Sequence, residues 1–142
     1  MHLEFSSRTL DDYIIVEVLG ELDLISAPCL QEELLGILVQ RGNKVILDLS
    51  RLTFMDAAGL RVLLAINRRA GLLGGTFSLA APQGSVARIL ELTGLDQYLA
   101  VFPTVAKAIA ADHRPRRPMR PPAGAGTPPQ GTSRNGFSPR DT

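Results

Sequence analysis

The chain has 142 residues and a formal net charge of +1, and this length allows one domain with a substantial hydrophobic core. The charge is unevenly spread, because residues 1–111 carry −3 and residues 112–142 carry +4. A single cysteine excludes an internal disulfide and is typical of a reducing compartment. The first residues lack the apolar region of a secretory signal, and no apolar stretch approaches the ~20 residues that cross a bilayer. We therefore expect a cytoplasmic protein without membrane insertion.

In chain order, short runs of β-forming residues alternate with stretches that repeat apolar side chains at helical spacing. This pattern predicts strands at Leu3–Leu10, Tyr13–Leu19, Val45–Leu49 and Thr76–Ala81, and helices at Ala27–Arg41, Ala57–Ala70, Gln83–Thr93 and Val105–Ala111. Residues 20–23 continue the second strand or form a short strand of their own. The order predicts an α/β fold with a mixed sheet of about four to five strands and helices packed mainly on one face.

Polar residues are placed to start two of the predicted helices. Ser26 is a suitable N-cap for the first, and Asp56, after a short polar connection, is placed to cap the second. Ala57, Ala58 and Gly59 then open that second helix with almost no side chain. A helix N-terminus exposes backbone N–H groups, and Gly59 lacks a Cβ atom, so another molecule can approach closely. We expect this helix start to be a contact surface.

The composition changes at about residue 112. Residues 112–142 hold seven of the ten prolines and only two large apolar side chains, Met119 and Phe137. Such a segment buries too little apolar surface to offset the entropy of ordering it. We therefore predict a domain over residues 1–111 and a disordered tail over residues 112–142. The tail's arginines are interpreted as a solvated extension, so direct binding of nucleic acid is not expected.

Residues for catalysis or metal binding are missing from the predicted domain. His2 and His113 lie at opposite ends of it, which argues against both a triad of the Ser-His-Asp type and a structural zinc site. The glycines of residues 71–75 lack the Gly-Lys-Ser/Thr ending of a phosphate-binding loop. Cys29 lies near an apolar stripe and is expected to be a small buried side chain. We predict no enzyme activity, no metal and no cofactor.

Two motifs resemble the signatures of the STAS domain family, which includes the bacterial anti-sigma-factor antagonists. Gly20-Glu21-Leu22-Asp23 with the following Ser-Ala-Pro resembles the first, and DLSRLTFMDAAGL, beginning at Asp48, resembles the second. The resemblance covers about residues 3–110. It implies a STAS fold and binding of an anti-sigma factor, commonly a serine kinase, which then releases its sigma factor for transcription. It also implies a partner-binding surface at Asp56 and the first turn of its helix, which contains Ala57, Ala58, Gly59 and Leu60, with Asp23 and Ser26 close by. The secondary candidates for this surface are Asp23, Ser26, Thr53 and Met55.

The chain departs from the family pattern at the residue that follows the motif aspartate. The resemblance implies a phospho-acceptor serine there, but this chain has Ala57, and the next residue is Ala58. Neither side chain can accept a phosphate, so we hypothesise an antagonist held in its binding-competent state. Two alternatives remain open at this point: an accessory STAS subunit of a membrane lipid-transport ATPase, and a scaffold in a STAS sensory assembly. The sequence leaves the oligomeric state open.

Overall fold

The computed structural model describes residues 3–111, and the predicted disordered tail lies outside these residues. The described chain contains five strands, four α-helices and a short 3-10 turn at Leu95–Gln97. The strands are β1 (Leu3–Leu10), β2 (Tyr13–Leu22), β3 (Lys44–Met55), β4 (Thr76–Ala80) and β5 (Ala100–Phe102). The helices are α1 (Ala27–Gln40), α2 (Ala57–Leu72), α3 (Gly84–Leu92) and α4 (Val105–Ala111).

The strands form one sheet in the order β1-β2-β3-β4-β5, in which only the β1–β2 pair is antiparallel. Asp11 and Asp12 make the tight turn between these two strands, with φ of 49° and 70°. Two consecutive residues of positive φ are typical of a type I′ hairpin turn, whose twist matches that of the flanking strands. The remaining strands are joined through helices, as parallel strands require. The predicted mixed sheet is thus confirmed.

The two faces of the sheet are covered unequally. The larger core lies between one face and helices α1, α2 and α3, and it includes Leu30, Leu47 and Leu63, each fully buried. A smaller cluster on the opposite face joins Tyr13, Ile15 and Ile46 to α4. Helices packed mainly on one face are therefore confirmed. Within residues 3–111, every helix falls short of the length and apolarity that crossing a bilayer requires.

The third strand is longer than predicted, and the polar connection expected before Asp56 is wrong. β3 continues past Leu49 to Met55 and stays paired with β2 as far as Leu22. Its partner on the other side, β4, ends where Ala80 lies opposite Asp48. Beyond that point β2 is the one strand within residues 3–111 still paired with β3. The side chains of Ser50, Arg51, Thr53 and Phe54 are exposed there. Exposed polar residues made this half of the strand look like a loop.

Two other elements differ from the sequence prediction. The short strand β5 was not predicted, because three half-buried residues are too few to show a strand pattern. α2 runs through Gly71 to Leu72, whereas the prediction ended it at Ala70. A Cβ atom added to Gly71 would meet nothing within 4 Å, so this glycine neither packs closely nor breaks the helix.

Candidate protein-interaction site

The start of α2 lies at the carboxyl end of β3, and we call residues 56–60 the α2 tip. Asp56 caps the helix as predicted: its Oδ1 atom accepts hydrogen bonds from the backbone N–H groups of Ala58, at 2.9 Å, and Gly59, at 3.3 Å. The Asp56 N–H donates to the carbonyl of Leu22 on β2, at 3.2 Å. The cap therefore satisfies two donors of the helix start and anchors the tip to the neighbouring strand.

Only part of the α2 tip is available to another molecule. Ala57 is exposed, and Asp56 and Leu60 are half-buried. Ala58 retains 9% exposure, and Gly59 is buried. The outermost atoms of the tip are therefore an alanine methyl group and the neighbouring backbone, with one carboxylate beside them.

Gly59 faces the interior of the protein, which changes the role expected for it. A Cβ atom at this position would lie 2.6 Å from Cγ of Met55 and 2.9 Å from Cγ of Leu22. Leu22 and Met55 are themselves buried and lie opposite each other where β2 and β3 end. The missing side chain allows α2 to pack on this pair. The expectation that it clears space for a partner is wrong, and Met55 supports the tip from beneath.

The loop between β2 and α1 is held by Asp23 and Ser26, which are 7% and 8% exposed. Asp23 Oδ1 accepts from the N–H groups of Ile25, at 3.0 Å, and Ser26, at 2.9 Å. The Ser26 hydroxyl accepts from the Asp23 N–H at 3.0 Å, and two oxygen atoms are placed to accept its proton: the Glu21 carbonyl at 2.9 Å and Asp23 Oδ1 at 3.1 Å. Ser26 occupies the N-cap position as predicted, but its side chain makes no cap bond, because it ties this loop together instead.

The pKa of the Asp23 carboxyl lies below its ordinary value of 3.8. The main cause is the backbone N–H of Ser26, which donates to the ionised carboxylate, and burial works in the opposite direction. The Ser26 hydroxyl and the Ile25 N–H favour the ionised form as well. The carboxylate is therefore occupied in fixing the loop.

The same loop presents two large apolar side chains that the sequence analysis did not single out. Leu24 is 68% exposed and Ile25 is 74% exposed. Their signal in the sequence is an apolar pair between two polar loop residues. Leu24 also lines a groove between the first turns of α1 and α2, together with Ala27, Pro28, Gln31, Glu32, Leu35, Ala58, Arg61 and Val62.

The structure brings most of the predicted site residues together at the carboxyl ends of strands β2 and β3. Leu22 lies opposite Met55, so the loop of residues 23–26 and the α2 tip leave neighbouring parallel strands side by side. Thr53 lies on the exposed part of β3, where its hydroxyl donates to the Gly20 carbonyl at 2.9 Å. Ser85, in the first turn of α3, donates to the Thr53 carbonyl at 3.2 Å. These two hydrogen bonds of Thr53 therefore connect β3 to β2 and to α3 beside the α2 tip.

Cys29 is exposed, so the expectation of a buried side chain is wrong. It lies on α1 between the buried residues Ala27 and Leu30 and points away from the core. Among residues 3–111, no three His, Cys, Asp or Glu side chains are grouped so that they could hold a metal ion.

Comparison with known proteins identifies the fold. The family model described as the STAS domain matches residues 4–108, which is most of the chain. The chain belongs to the STAS domain family. The resemblance carried by the two sequence motifs is thus confirmed.

Several proteins that this STAS chain resembles are named as anti-sigma factor antagonists. One from Thermotoga maritima is 29% identical, and the match covers 74% of this chain and 94% of the relative. Its crystal structure aligns with a TM-score of 0.73 over 78% of this chain and 95% of that one. An antagonist from Mycobacterium paratuberculosis is 27% identical, with a TM-score of 0.72 over 80% and 96% of the two chains.

A further relative is the anti-sigma-F factor antagonist RsfB of Mycobacterium tuberculosis. It is 28% identical over 95 residues, which cover 67% of this chain and 77% of the relative. The names of these relatives describe regulatory proteins rather than enzymes.

Replacing Gly59 by alanine should destabilise the fold, because the new methyl group would overlap Leu22 and Met55. We expect Gly59→Ala to lower the free energy of unfolding by about 1–3 kcal/mol, as overpacking does, measured by urea denaturation. Gly36→Ala is the matched control, since a Cβ atom at this α1 position meets nothing within 4 Å. It should leave stability unchanged or raise it by up to about 1 kcal/mol. A Gly59→Ala protein as stable as the wild type would contradict the packing role.

Acid should weaken the loop of residues 23–26. The folded-state pKa of Asp23 lies below 3.8, so its ionised form stabilises the fold above that pH. This stabilisation is lost as the pH falls through the folded-state pKa. Between about pH 5 and about pH 2.5, the free energy of unfolding of the wild type should therefore fall more than that of Asp23→Asn. Equal acid dependence of the two proteins would argue against the role of the carboxylate.

Proposed function

We propose that this STAS protein is an anti-sigma factor antagonist, a noncatalytic protein that binds an anti-sigma factor in the cytoplasm and thereby frees a sigma factor for transcription. The names of its relatives support this proposal. The observation that carries it is the geometry of one edge of the sheet. There the exposed Ala57 lies at the start of α2, beside a loop that exposes Leu24 and Ile25.

We assign direct contact with the anti-sigma factor to the exposed and half-buried residues of this edge. These are Asp56, Ala57, Leu60 and Thr53, joined by the newly found pair Leu24 and Ile25. Adjacent exposed apolar side chains on a soluble domain mark interaction surfaces, and buried apolar anchors provide most of the energy of such interfaces. Asp23, Ser26, Met55, Ala58 and Gly59 contribute by holding the loop and the tip in place.

The partner class that we propose is an anti-sigma factor of the serine-kinase type. A phosphate on residue 57 would add about −1.5 to −2 charges next to the carboxylate of Asp56. Burying that charge in an interface without a matching cation costs several kcal/mol, whereas about 1.4 kcal/mol already changes affinity tenfold. Because Ala57 cannot be phosphorylated, the surface stays neutral at its outermost point. The protein is then permanently competent to bind.

We further propose that residues 1–111 form the whole binding domain. All the contact residues assigned above lie between positions 24 and 60. The tail of residues 112–142 then has no part in contacting the anti-sigma factor or nucleic acid.

A negative charge placed at the α2 tip should weaken binding of the anti-sigma factor. We expect Ala57→Asp to weaken binding to the anti-sigma factor at least about tenfold, because the interface would have to bury a second carboxylate beside Asp56. Ala65→Asp is the matched control, since Ala65 is also exposed on α2 but lies two turns further along. Its affinity should match that of the wild type. Titration calorimetry with the purified partner measures both, after circular dichroism has shown that both variants fold.

The partner itself is found by affinity capture from the source organism, with the wild type and Ala57→Asp compared by mass spectrometry. A kinase-type anti-sigma factor retained by the wild type and lost with the variant supports the proposal. Retention of a transporter ATPase subunit instead would replace it with the accessory-subunit function. Equal binding of the wild type and Ala57→Asp to an anti-sigma factor would show that the contact surface lies elsewhere.

Restoring a hydroxyl at position 57 should restore phosphorylation. Incubated with the kinase-type partner and ATP, the wild type should carry no phosphate on residues 50–60, whereas Ala57→Ser should be modified on the new serine. The wild type is an internal control, because its Ser50 and Thr53 are exposed hydroxyls on the same strand. Peptide mass spectrometry locates the phosphate. Phosphate on Ser50 or Thr53 of the wild type would show that the protein is switched after all.

A further inference from the structure

The strand β1 ends the sheet, and its outer edge offers backbone groups for pairing with another strand. Within residues 3–111, β2 is the only strand paired with β1, and the pairing runs along all eight residues from Leu3 to Leu10. Proline is absent from this strand, and its side chains from Ser6 to Leu10 are exposed. An edge of this length without a proline is a template for strand addition.

The hairpin turn determines which backbone groups of β1 point outward. Leu10 and Tyr13 close the two-residue turn, so they form a hydrogen-bonded pair of the antiparallel ladder. Bonded and non-bonded positions alternate from there, so Leu10, Arg8, Ser6 and Glu4 bond to β2. The N–H and C=O groups of the odd-numbered residues, Leu3, Phe5, Ser7 and Thr9, consequently point away from the sheet.

We propose that two copies of this protein associate through β1, in an antiparallel pair centred on Ser6. This register places Phe5 opposite Ser7 of the second copy and Leu3 opposite its Thr9, so every pair joins outward-pointing backbone groups. On the other face of the strand it places Glu4 directly opposite Arg8 of the second copy. The two-fold axis repeats this contact, so the dimer contains two such ion pairs, and each copy contributes Glu4 to one of them and Arg8 to the other.

The charges select this register among the symmetric alternatives. Centred on Phe5, the pair would place Glu4 opposite Ser6 of the second copy. Centred on Ser7, it would place Glu4 opposite Leu10 and Arg8 opposite Ser6. Only the pair centred on Ser6 sets opposite charges against each other, and such cross-strand pairs are favourable whereas like charges are unfavourable. Charged residues on an edge usually oppose pairing, but here their order makes the edge complementary to itself.

Pairing would also cover apolar surface that the monomer leaves partly open. Leu3 and Phe5 are half-buried and pack against the larger core from the outermost strand. A second β1 beside them extends the sheet by one more strand on that side. The result is a continuous ten-stranded sheet, twice the five strands of one chain.

The dimer leaves the α2 tips accessible. The two-fold axis reverses the strand direction, so the carboxyl ends of β3 in the two copies point to opposite ends of the joint sheet. Each tip therefore faces solvent, and each copy can bind a partner independently. This inference does not depend on the proposed function, because it concerns the outer strand β1 and not the α2 tip.

Sedimentation velocity of the full chain tests the dimer over about 5 to 500 µM, a range that resolves weak association. We expect a concentration-dependent shift from the mass of one chain to twice that mass. Arg8→Glu, which sets two carboxylates against each other, should weaken dimerisation at least tenfold. The double variant Glu4→Arg/Arg8→Glu inverts both pairs and should restore the wild-type dissociation constant to within about threefold. Arg88→Glu, an exposed arginine on α3, is the matched control and should dimerise normally.

A backbone variant tests the edge without using charge. The Ser7 N–H points outward in the derived ladder, so Ser7→Pro removes a bond of the dimer while keeping the bonds to β2, as edge strands tolerate. It should be monomeric, with the circular dichroism of the wild type. A wild type that stays monomeric throughout the range overturns the proposal. So does a dimer that all charge variants form equally, or a folded Ser7→Pro that still dimerises. Should Ser7→Pro fail to fold, the charge variants decide.

Discussion

The contact between α2 and the paired ends of β2 and β3 fixes the position of both the α2 tip and the loop of residues 23–26. Leu22 and Met55 lie opposite each other and fill the space that a side chain at Gly59 would need. The Asp56 N–H bonds to the Leu22 carbonyl, so the start of the helix is tied to the second strand as well as to the third. Both the loop of residues 23–26 and the α2 tip therefore leave the sheet from one fixed point, and their relative position is set by packing.

Much of the architecture could be read from the sequence because local patterns and tertiary packing agree. The apolar stripes of α1 and α2 face the larger core, and the runs around Ile14 and Val45 are buried on both faces of the sheet. The missed half of β3 shows where such agreement ends. From Leu49 onward this strand has one neighbour instead of two, so its side chains are mostly exposed and lack a strand pattern. Backbone pairing with β2 holds this half of β3 extended, and that pairing leaves no pattern in the sequence.

The candidate site was located by motif position, and burial then divided its residues into two groups. Ala57 is exposed, whereas Gly59, two residues further along the helix, packs against Leu22. The sequence alone did not distinguish these two positions, because a small residue suits both an exposed surface and a close packing contact. The reverse holds for Leu24 and Ile25. Large apolar residues suggest core positions, yet the bonds of Asp23 fix the loop so that both side chains face solvent.

The contacts that hold the α2 tip in place are independent of the side chain at position 57. The frame of the α2 tip consists of the Asp56 cap, the packing of Gly59 on Leu22 and Met55, and the backbone bond to Leu22. None of these contacts uses the side chain of residue 57, which is exposed. An alanine there is also a strong helix former. Exchanging a hydroxyl for a methyl group at this point therefore leaves the frame intact. The side chain of residue 57 can thus vary without disturbing the contacts that hold the α2 tip.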